Sequence, residues 1–246
     1  MAPKQPLVSK KNIIHFFKKT DLKIFKHLPN FITLLNLTSG AVGIYYAIHG
    51  QLVVASYCVF LSAIFDFFDG FVARLLKANS SIGKELDSLA DVISFGLLPA
   101  MIALELLKIN TTNFWWPWLG LIIAVFSALR LAKFNVDERQ TDQFIGLPTP
   151  ANAILFASFP LILTGKNWLF LTNPIVLSIV IIVFSLLLVA EINLMALKFK
   201  SYKWSDNKLK FIFLILSLGL IIALGWMAIP IIILLYIFFS VMGNYF

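Results

Sequence analysis

The stretch "DFFDGFVARLLKANSSIGKELDSLAD", residues 66–91, lies between two strongly apolar segments and holds five of the twelve acidic residues of the chain. The whole chain of 246 residues is 60% hydrophobic and only 13% charged. Carboxylates in apolar surroundings cost free energy unless partners or cations compensate them. We therefore expect residues 66–91 to form the polar end of a hairpin of two apolar helices, joined by a short connection at about Lys77–Lys84.

Apolar runs recur along almost the whole chain, each close to the roughly 20 residues that a helix needs to cross a bilayer. This composition is not that of a soluble globular domain. It predicts an all-α fold, a polytopic transmembrane helical bundle of about eight spans. The predicted spans cover about 30–49, 52–76, 84–107, 115–134, 149–165, 173–197, 209–226 and 228–244, with edges uncertain by a few residues. Only the region around Ala228–Pro230 separates the last two, so one broken segment, and hence seven spans, is the alternative.

The basic residues predict the orientation of these spans. Eighteen of the twenty Lys and Arg residues precede the first span or lie at the junctions of spans 2–3, 4–5 and 6–7, all on one side. Only Lys108 and Lys166 fall on the other side. The positive-inside rule then puts both termini and residues 66–91 in the cytoplasm. The simplest location is the inner, cytoplasmic membrane of a bacterium.

The chain divides into a basic juxtamembrane segment, 1–28, and a transmembrane domain, 29–246. Within that domain we expect a core over about 29–200 and an additional C-terminal hairpin over about 209–244. Apolar residues are interspersed among lysines over Ser9–His27, which predicts an N-terminal amphipathic helix lying in the membrane interface. A flexible basic tail that only sets topology is the alternative.

Composition excludes several classes of function. The formal net charge of +8 in a membrane protein indicates a lipid surface or phosphorylated ligands as partners, and not nucleic acid. Cys58 is the single cysteine, so a disulfide framework or a thiolate metal cluster is excluded.

Four aspartates are spaced so that the predicted hairpin brings them together. Asp66 and Asp69 are three residues apart near the end of span 2, and Asp87 and Asp91 are four residues apart near the start of span 3. Residues at these spacings share one face of a helix, and two helices joined by a short connection pack antiparallel. We therefore expect the two pairs to face each other at the cytoplasmic end.

Such a cluster favours a bound cation. Four carboxylates that share a site repel one another, and in a low dielectric they take up protons or bind a cation. Carboxylate oxygens alone select hard divalent ions such as Mg²⁺, Mn²⁺ or Ca²⁺, and phosphoryl chemistry commonly uses two such ions about 4 Å apart. Gly70 and Ala73 leave room for a ligand, and Arg74 can bind phosphate. A cation transporter that uses the intramembrane aspartates is the alternative from a different class.

Eight positions carry a resemblance to a known family. With their spacing they read Asp66-x2-Asp69-Gly70-x2-Ala73-Arg74-x8-Gly83-x3-Asp87-x3-Asp91. This pattern resembles the signature of the CDP-alcohol phosphotransferase family, and no element of it is missing. The resemblance implies an integral membrane enzyme of phospholipid biosynthesis that moves a phosphatidyl group from a CDP-linked lipid to an alcohol and releases CMP. It also implies a divalent metal cofactor, two ions of Mg²⁺ or Mn²⁺, and a homodimer.

The resemblance also implies a role for each matched position. It makes Asp66, Asp69, Asp87 and Asp91 metal ligands, with Asp91 also the general base. The implied nucleotide and diphosphate site comprises Asn30, Thr33, Asp69, Gly70, Ala73, Arg74 and Gly83. Asn30 and Thr33 belong to "LPNFITLLNLTSG" (28–40), which resembles the Pro-Asn-x-x-Thr pattern in the first span of the family. An ordinary helix start with Pro29 in its first turn and a buried threonine is the alternative for that stretch.

Three further stretches indicate the acceptor alcohol. They are "DVISFGLLPA" (91–100), "RLAKFNV" (130–136) and "FIGLPTPANA" (144–153). They resemble the membrane-spanning phosphatidylserine synthases of the family. This implies transfer from CDP-diacylglycerol to L-serine, giving phosphatidylserine and CMP.

Arg130 is the candidate for binding the serine carboxylate, because a zwitterionic acceptor needs a cationic or backbone donor. Asn135 and Ser94 are further candidates for the acceptor pocket. A snorkelling arginine is the alternative for Arg130. Glycerol 3-phosphate or inositol phosphate is the alternative acceptor, because Lys133 and Arg139 could join Arg130 in binding an additional phosphate.

Overall fold

The computed structural model describes residues 26–78, 80–137, 143–165, 169–195 and 204–243. This part of the chain is almost entirely helical, which confirms the predicted all-α fold. Its helices are α1 (Leu28–Ile48), α2 (Leu52–Leu75), α3 (Ser81–Asp91), α4 (Leu98–Asn110), α5 (Ile122–Val136), α6 (Thr149–Leu163), α7 (Leu169–Thr172), α8 (Pro174–Val189), α9 (Trp204–Leu224) and α10 (Ala228–Gly243). The predicted interfacial helix over Ser9–His27 lies outside the described residues, except for Lys26 and His27.

The helices of the described part match the predicted polytopic bundle. Five helical stretches are long and apolar enough to cross a membrane, and one of them, Asn207–Gly243, contains both α9 and α10. Another, Ser81–Asn110, joins α3 to α4 through the π-helical turn Val92–Leu97. The helices α6 and α8 are shorter apolar segments. Counted this way, the described residues contain eight apolar segments in the predicted order.

The turn between α2 and α3 is closed by local hydrogen bonds. Lys77 adopts a left-handed conformation with φ of 50°, and the Ala78 N–H donates to the Ala73 carbonyl at 2.9 Å, a bond of the kind that commonly ends a helix. Ser80 then caps α3, because its Oγ accepts from the Gly83 N–H at 3.0 Å. The chain therefore reverses directly after the last turn of α2, as the sequence predicts. The helix α1 packs against both α2 and α3.

A π-helical turn follows Asp91 directly. It covers Val92–Leu97, and Pro99 comes next in the first turn of α4. Proline has no N–H to donate to the carbonyl of Phe95 four residues earlier, which favours a widened turn at this point. Turns of this type inside α-helices are frequent at functional sites. The sequence did not predict this one.

Glycines let the helices approach closely. A Cβ atom added at Gly40 of α1 would lie 2.8 Å from the Ser94 Cα, and one added at Gly120 would lie 2.7 Å from the Leu104 backbone nitrogen. Small residues allow the backbones of membrane helices to come this close. The same interior also holds large side chains, and Phe95 is fully buried in it.

The helices α9 and α10 form an antiparallel hairpin and not one broken segment. The chain reverses at Gly225, whose φ is 56°. Gly243 at the end of α10 lies beside Leu209 near the start of α9, and the ring centroids of Phe213 and Tyr236 lie 6.0 Å apart. The structure therefore favours eight segments over the alternative of seven.

A short two-stranded ribbon was missed by the sequence analysis. The strand β1 (Gln143–Ile145) pairs antiparallel with β2 (Asn193–Met195). The chain leaves α8 at Ala190, which is extended, and continues into β2, so α8 ends before the end of the predicted span 173–197. Two strands of three residues, far apart in the chain, leave no local periodicity that a sequence could reveal.

Replacing Gly120 by alanine is expected to lower the midpoint of thermal unfolding by about 2–12 °C, because overpacking an interior costs about 1–3 kcal/mol. The added Cβ would meet backbone atoms of α4, so no side-chain rotation relieves the contact. Tryptophan fluorescence of the detergent-purified protein measures the midpoint. Gly219→Ala is the matched control, since a Cβ there meets nothing within 4 Å. Equal midpoints for the two variants would contradict the close approach of the helices.

Candidate active site

A cavity of about 540 Å³ lies where the beginnings of α1 and α3 meet the end of α2. Its position follows from the hairpin, because the turn after α2 brings these three helix ends together. Six of the seven residues predicted for the nucleotide and diphosphate site line it, namely Asn30, Thr33, Asp69, Gly70, Ala73 and Gly83. The structure therefore brings together residues that are up to 53 positions apart in the chain.

Three of the predicted aspartates converge at this cavity. Asp66, Asp69 and Asp87 each contribute one carboxylate oxygen, and these oxygens all lie within 4.8 Å of one another. The Asp87 Oδ1 is buried and has no hydrogen-bond partner among the described residues. Three carboxylates this close repel one another unless a cation compensates them. The oxygen-only donor set and the unpaired Asp87 oxygen therefore fit a hard divalent metal ion.

Side chains of α1 orient two of the aspartates. The Thr33 Oγ1 donates to the Asp69 Oδ2 at 2.7 Å, and the Asn36 Nδ2 donates to the Asp91 Oδ1 at 3.3 Å. Both hydrogen bonds are buried, so they hold these carboxylates in one orientation. The sequence analysis missed Asn36. The signal that could have found it is its polar side chain in an apolar run, one turn beyond Thr33 on the same helix face.

Asp91 lies deeper than the cavity and is only 8% exposed. It is not one of the three convergent carboxylates, but it lies one helical turn beyond Asp87 on the same face of α3. The π-helical turn begins immediately after it. Asp91 is thus a buried carboxylate at the inner edge of the cluster.

Gly83 allows α1 and α3 to approach each other closely, and Gly70 leaves a bare surface on α2. A Cβ at Gly83 would lie 3.0 Å from the Asn30 Oδ1, so α1 and α3 meet there almost without a gap. A Cβ at Gly70 would lie 3.5 Å from the Arg74 Nη1, so the guanidinium folds back over the bare surface of α2. Arg74 is exposed, and its positive charge acts on Asp69. A planar guanidinium beside an open helix surface suits a diphosphate.

Arg130 is a buried cation on α5, which packs against the π-helical turn that directly follows Asp91. The residue is only 7% exposed. Its Nη1 donates to the Thr149 Oγ1 at 3.1 Å, and its guanidinium carbon lies 5.6 Å from the ring centroid of Phe134. Its Nε has no hydrogen-bond partner in the described part of the chain. Arg130 therefore does not snorkel to the membrane surface, and part of its donor capacity is unused.

Asn135 and Ser94, the other predicted acceptor residues, make hydrogen bonds within the bundle. The Asn135 Nδ2 donates to the Ser88 Oγ at 2.8 Å, and the Asn135 carbonyl accepts from the Lys84 Nζ at 3.3 Å. The Ser94 Oγ donates to the Ala90 carbonyl at 2.9 Å. These contacts connect α5 to α3 and stabilise the end of α3, so both side chains have structural partners.

The cavity also contains residues that the sequence analysis did not assign to a site. Two of them belong to the turn between α2 and α3, where no periodic pattern marks a function, and the others lie at the starts of α1 and α3. They are Pro29, Ala78, Ser80, Ser81 and Lys84.

A second, apolar cleft of about 760 Å³ adjoins this region. It lies between α2, α6 and the α9–α10 hairpin, and its walls include Phe60, Ile154, Phe213 and Trp226. Its lining also includes Tyr236, Pro148 and Pro150, and Thr149 between the two prolines accepts the hydrogen bond of Arg130. The apolar cleft therefore begins close to the buried arginine.

Comparison with known proteins agrees with this geometry. The family model for CDP-alcohol phosphatidyltransferases matches residues 26–180. A protein of Helicobacter pylori named CDP-diacylglycerol–serine O-phosphatidyltransferase is 34% identical over 218 residues, which cover 87% of this chain and 89% of that protein. A Bacillus subtilis protein of the same name is 33% identical over 171 residues, covering 68% of this chain and 89% of that protein.

An archaeal relative extends the comparison to a different lipid. The archaetidylserine synthase of Methanothermobacter thermautotrophicus is 37% identical over 141 residues, which cover 55% of this chain and 58% of that protein. The match of the family model and the long alignment to the Helicobacter pylori relative agree with the complete aspartate motif. On this evidence the chain belongs to the CDP-alcohol phosphatidyltransferase family.

Proposed function

We propose that this chain transfers the phosphatidyl group of CDP-diacylglycerol to the hydroxyl of L-serine, giving phosphatidylserine and CMP. The observation that carries this proposal is the buried guanidinium of Arg130 on α5, a helix that packs against the π-helical turn directly after Asp91, next to the three-aspartate cluster. The cluster suits the phosphoryl chemistry of the family. The arginine suits an acceptor with a carboxylate, as the names of the two bacterial relatives also indicate.

The donor has a polar and an apolar part, and the chain offers a surface for each. The cavity lined by Gly70, Ala73 and Gly83 suits the cytidine diphosphate, because small residues leave the helix backbones open to a flat ligand. Arg74 would contact the diphosphate as a two-pronged donor. The acyl chains need no polar partner and stay in apolar surroundings, either lipid or the cleft beside Tyr236.

Asp66, Asp69 and Asp87 are the residues that would hold divalent metal, Mg²⁺ or Mn²⁺, with Asp91 close enough to assist. When bound, two such ions would offset the negative charge of the diphosphate and of the leaving CMP. Thr33 keeps Asp69 turned toward the cluster through its 2.7 Å hydrogen bond.

Asp91 acts as the general base in this proposal. The serine hydroxyl oxygen forms a bond to the β-phosphorus while the bond from that phosphorus to the oxygen bridging to CMP breaks. Asp91 takes the hydroxyl proton, and CMP leaves with the bridging oxygen. Asn36 holds the Asp91 Oδ1, so the Oδ2 is the atom that accepts the proton.

The charge around the acceptor favours a carboxylate over an additional phosphate. Of the three basic residues in this region, Arg130 is buried and Lys133 is exposed, while Arg139 lies outside the described residues. A single buried guanidinium suits the one negative charge of serine. Glycerol 3-phosphate or inositol phosphate would bring two negative charges to the same cation.

We also propose that the site faces the cytoplasm of a bacterial inner membrane, with the chain as a homodimer. Arg74, Lys77 and Lys84 lie at the site end of the bundle, whereas Lys108 lies at the far end of α4. A site at the cytoplasmic surface is open both to a lipid donor in the bilayer and to serine and CMP in water.

The reaction is tested by measuring CMP release from CDP-diacylglycerol by the purified chain with each candidate alcohol. We expect release with L-serine, and release slower by roughly a hundredfold or more with glycerol 3-phosphate or inositol phosphate, because a poorly matched charge is left unpaired. Equal or faster release with glycerol 3-phosphate would assign the chain to that acceptor. Cation uptake into vesicles without CMP release from any alcohol would favour a transporter.

Removing divalent metal is expected to abolish CMP release. Thorough EDTA treatment followed by titration of Mg²⁺ or Mn²⁺ should restore activity, and Asp66→Asn should raise the metal concentration needed, because one of three ligands is lost. Glu105→Gln is the matched control, since Glu105 pairs with Lys108 at the far end of α4. Full activity in EDTA would exclude a metal-dependent mechanism.

Replacing Asp91 by asparagine is expected to lower kcat by about 10²–10⁴-fold, the usual contribution of a general base. Asparagine has nearly the same size but cannot take the hydroxyl proton at neutral pH. CMP release at saturating substrates measures the effect, and the thermal midpoint verifies folding. A variant with a wild-type midpoint and near-normal turnover would show that Asp91 is not the base.

A further inference from the structure

We propose that Asn152 binds the amino-acid acceptor together with Arg130, and that this pair determines specificity for a zwitterion. The inference deepens the proposed function and rests on it. It begins from an unpartnered polar side chain: Asn152 is 0% exposed, and neither its Oδ1 nor its Nδ2 has a hydrogen-bond partner among the described residues.

A buried amide without partners is destabilising. Leaving a buried donor or acceptor unsatisfied costs about 1–3 kcal/mol, and most buried polar side chains in folded proteins are paired. Other polar side chains on α6 follow this rule. The Ser158 Oγ, for example, donates to the Leu155 carbonyl at 2.6 Å. Asn152 therefore carries a cost that a bound ligand would remove.

The position of Asn152 connects it to Arg130. Thr149 and Asn152 are three residues apart on α6, so they share one helix face, with their Cβ atoms about 5–6 Å apart. Thr149 is fully buried and accepts the hydrogen bond of the Arg130 Nη1. Asn152 therefore lies one turn deeper along the face of α6 that contacts the buried guanidinium.

The unused hydrogen-bonding groups of this face complement an amino acid. The Arg130 Nε–H and the Asn152 Nδ2 are donors, which match a carboxylate, and the Asn152 Oδ1 is an acceptor, which matches an ammonium group. Because α5 and α6 both pack against the π-helical turn that directly follows Asp91, this face lies close to the proposed base. An alcohol without both groups would leave buried donors or acceptors unpaired, and a site of that kind discriminates strongly against it.

The start of α6 is held firmly enough to define such a site. Gly146 has φ of 75°, and its N–H donates to the Ile192 carbonyl at 2.9 Å. The Leu147 N–H donates to the Leu187 carbonyl at 2.9 Å. These bonds fix the entry of α6 against the end of α8, so Thr149 and Asn152 approach Arg130 from a rigid element.

The test compares two variants of Asn152. Asn152→Leu removes the amide oxygen and nitrogen but keeps a side chain of similar size. Asn152→Asp keeps the shape of the side chain but puts a negative charge beside the serine carboxylate. Both should raise the KM for L-serine by about 10- to 100-fold, as for lost hydrogen bonds to charged groups. The KM for CDP-diacylglycerol should stay within about threefold, because the nucleotide cavity does not include this residue. Ser158→Ala, on the same helix and equally buried, is the control that should leave both constants unchanged.

Substrate analogues give a second readout that a structural role would not change. The wild-type chain should prefer L-serine to ethanolamine, which lacks the carboxylate, and to 3-hydroxypropanoate, which lacks the ammonium group. In Asn152→Leu, the ratio of kcat/KM for L-serine to kcat/KM for each of the two analogues should be smaller than in the wild type. An unchanged serine KM, or parallel losses for serine, CDP-diacylglycerol and thermal stability, would overturn the role of Asn152. A wild-type chain that releases no CMP with serine would instead contradict the proposed function, and with it this inference.

Discussion

The mutual repulsion of carboxylates in an apolar bundle is the constraint on which the rest of this structure depends. Asp66, Asp69 and Asp87 bring three oxygens within 4.8 Å of one another, and such an arrangement is tolerable only at the water-exposed end of the helices or around a cation. The left-handed residue Lys77 and the cap at Ser80 put the turn of the hairpin at that end. The same turn creates the cavity, so the geometry that tolerates the charge also provides the space for a charged ligand.

The first helix, α1, supplies the hydrogen bonds that orient the aspartates of the hairpin. α2 and α3 carry the aspartates, but the hydrogen bonds that orient them come from Thr33 and Asn36 of α1. Close approach at Gly40 makes this possible, because a side chain there would collide with the backbone at Ser94. The site is therefore formed by three helices: α2 and α3 carry the aspartates, and α1 holds two of their carboxylates in one orientation.

The sequence predicted the features that rest on local spacing. The eight apolar segments, the hairpin and the aspartate register could be predicted because helix periodicity brings residues three and four apart to one face. The ribbon of β1 and β2, the orientation of Asp91 by Asn36 and the contact of Arg130 with Thr149 could not, because each depends on segments that only the folded chain brings together. The roles of Asn135 and Ser94 remain predictions, and in the structure both side chains are engaged in hydrogen bonds inside the bundle.

The two halves of the proposed reaction therefore have different physical origins. In the proposal, recognition of the donor rests on backbone exposure, since Gly70 and Ala73 leave the surface of α2 bare where a nucleotide can lie. Recognition of the acceptor rests on buried polar groups of α5 and α6 that have no partner inside the described protein, above all the Arg130 Nε and the Asn152 amide. A bare surface accommodates one ligand shared by a family, whereas unpaired buried groups discriminate between similar alcohols. In the proposed reaction the aspartate hairpin thus serves the donor, and the acceptor is selected by the unpaired buried groups of α5 and α6.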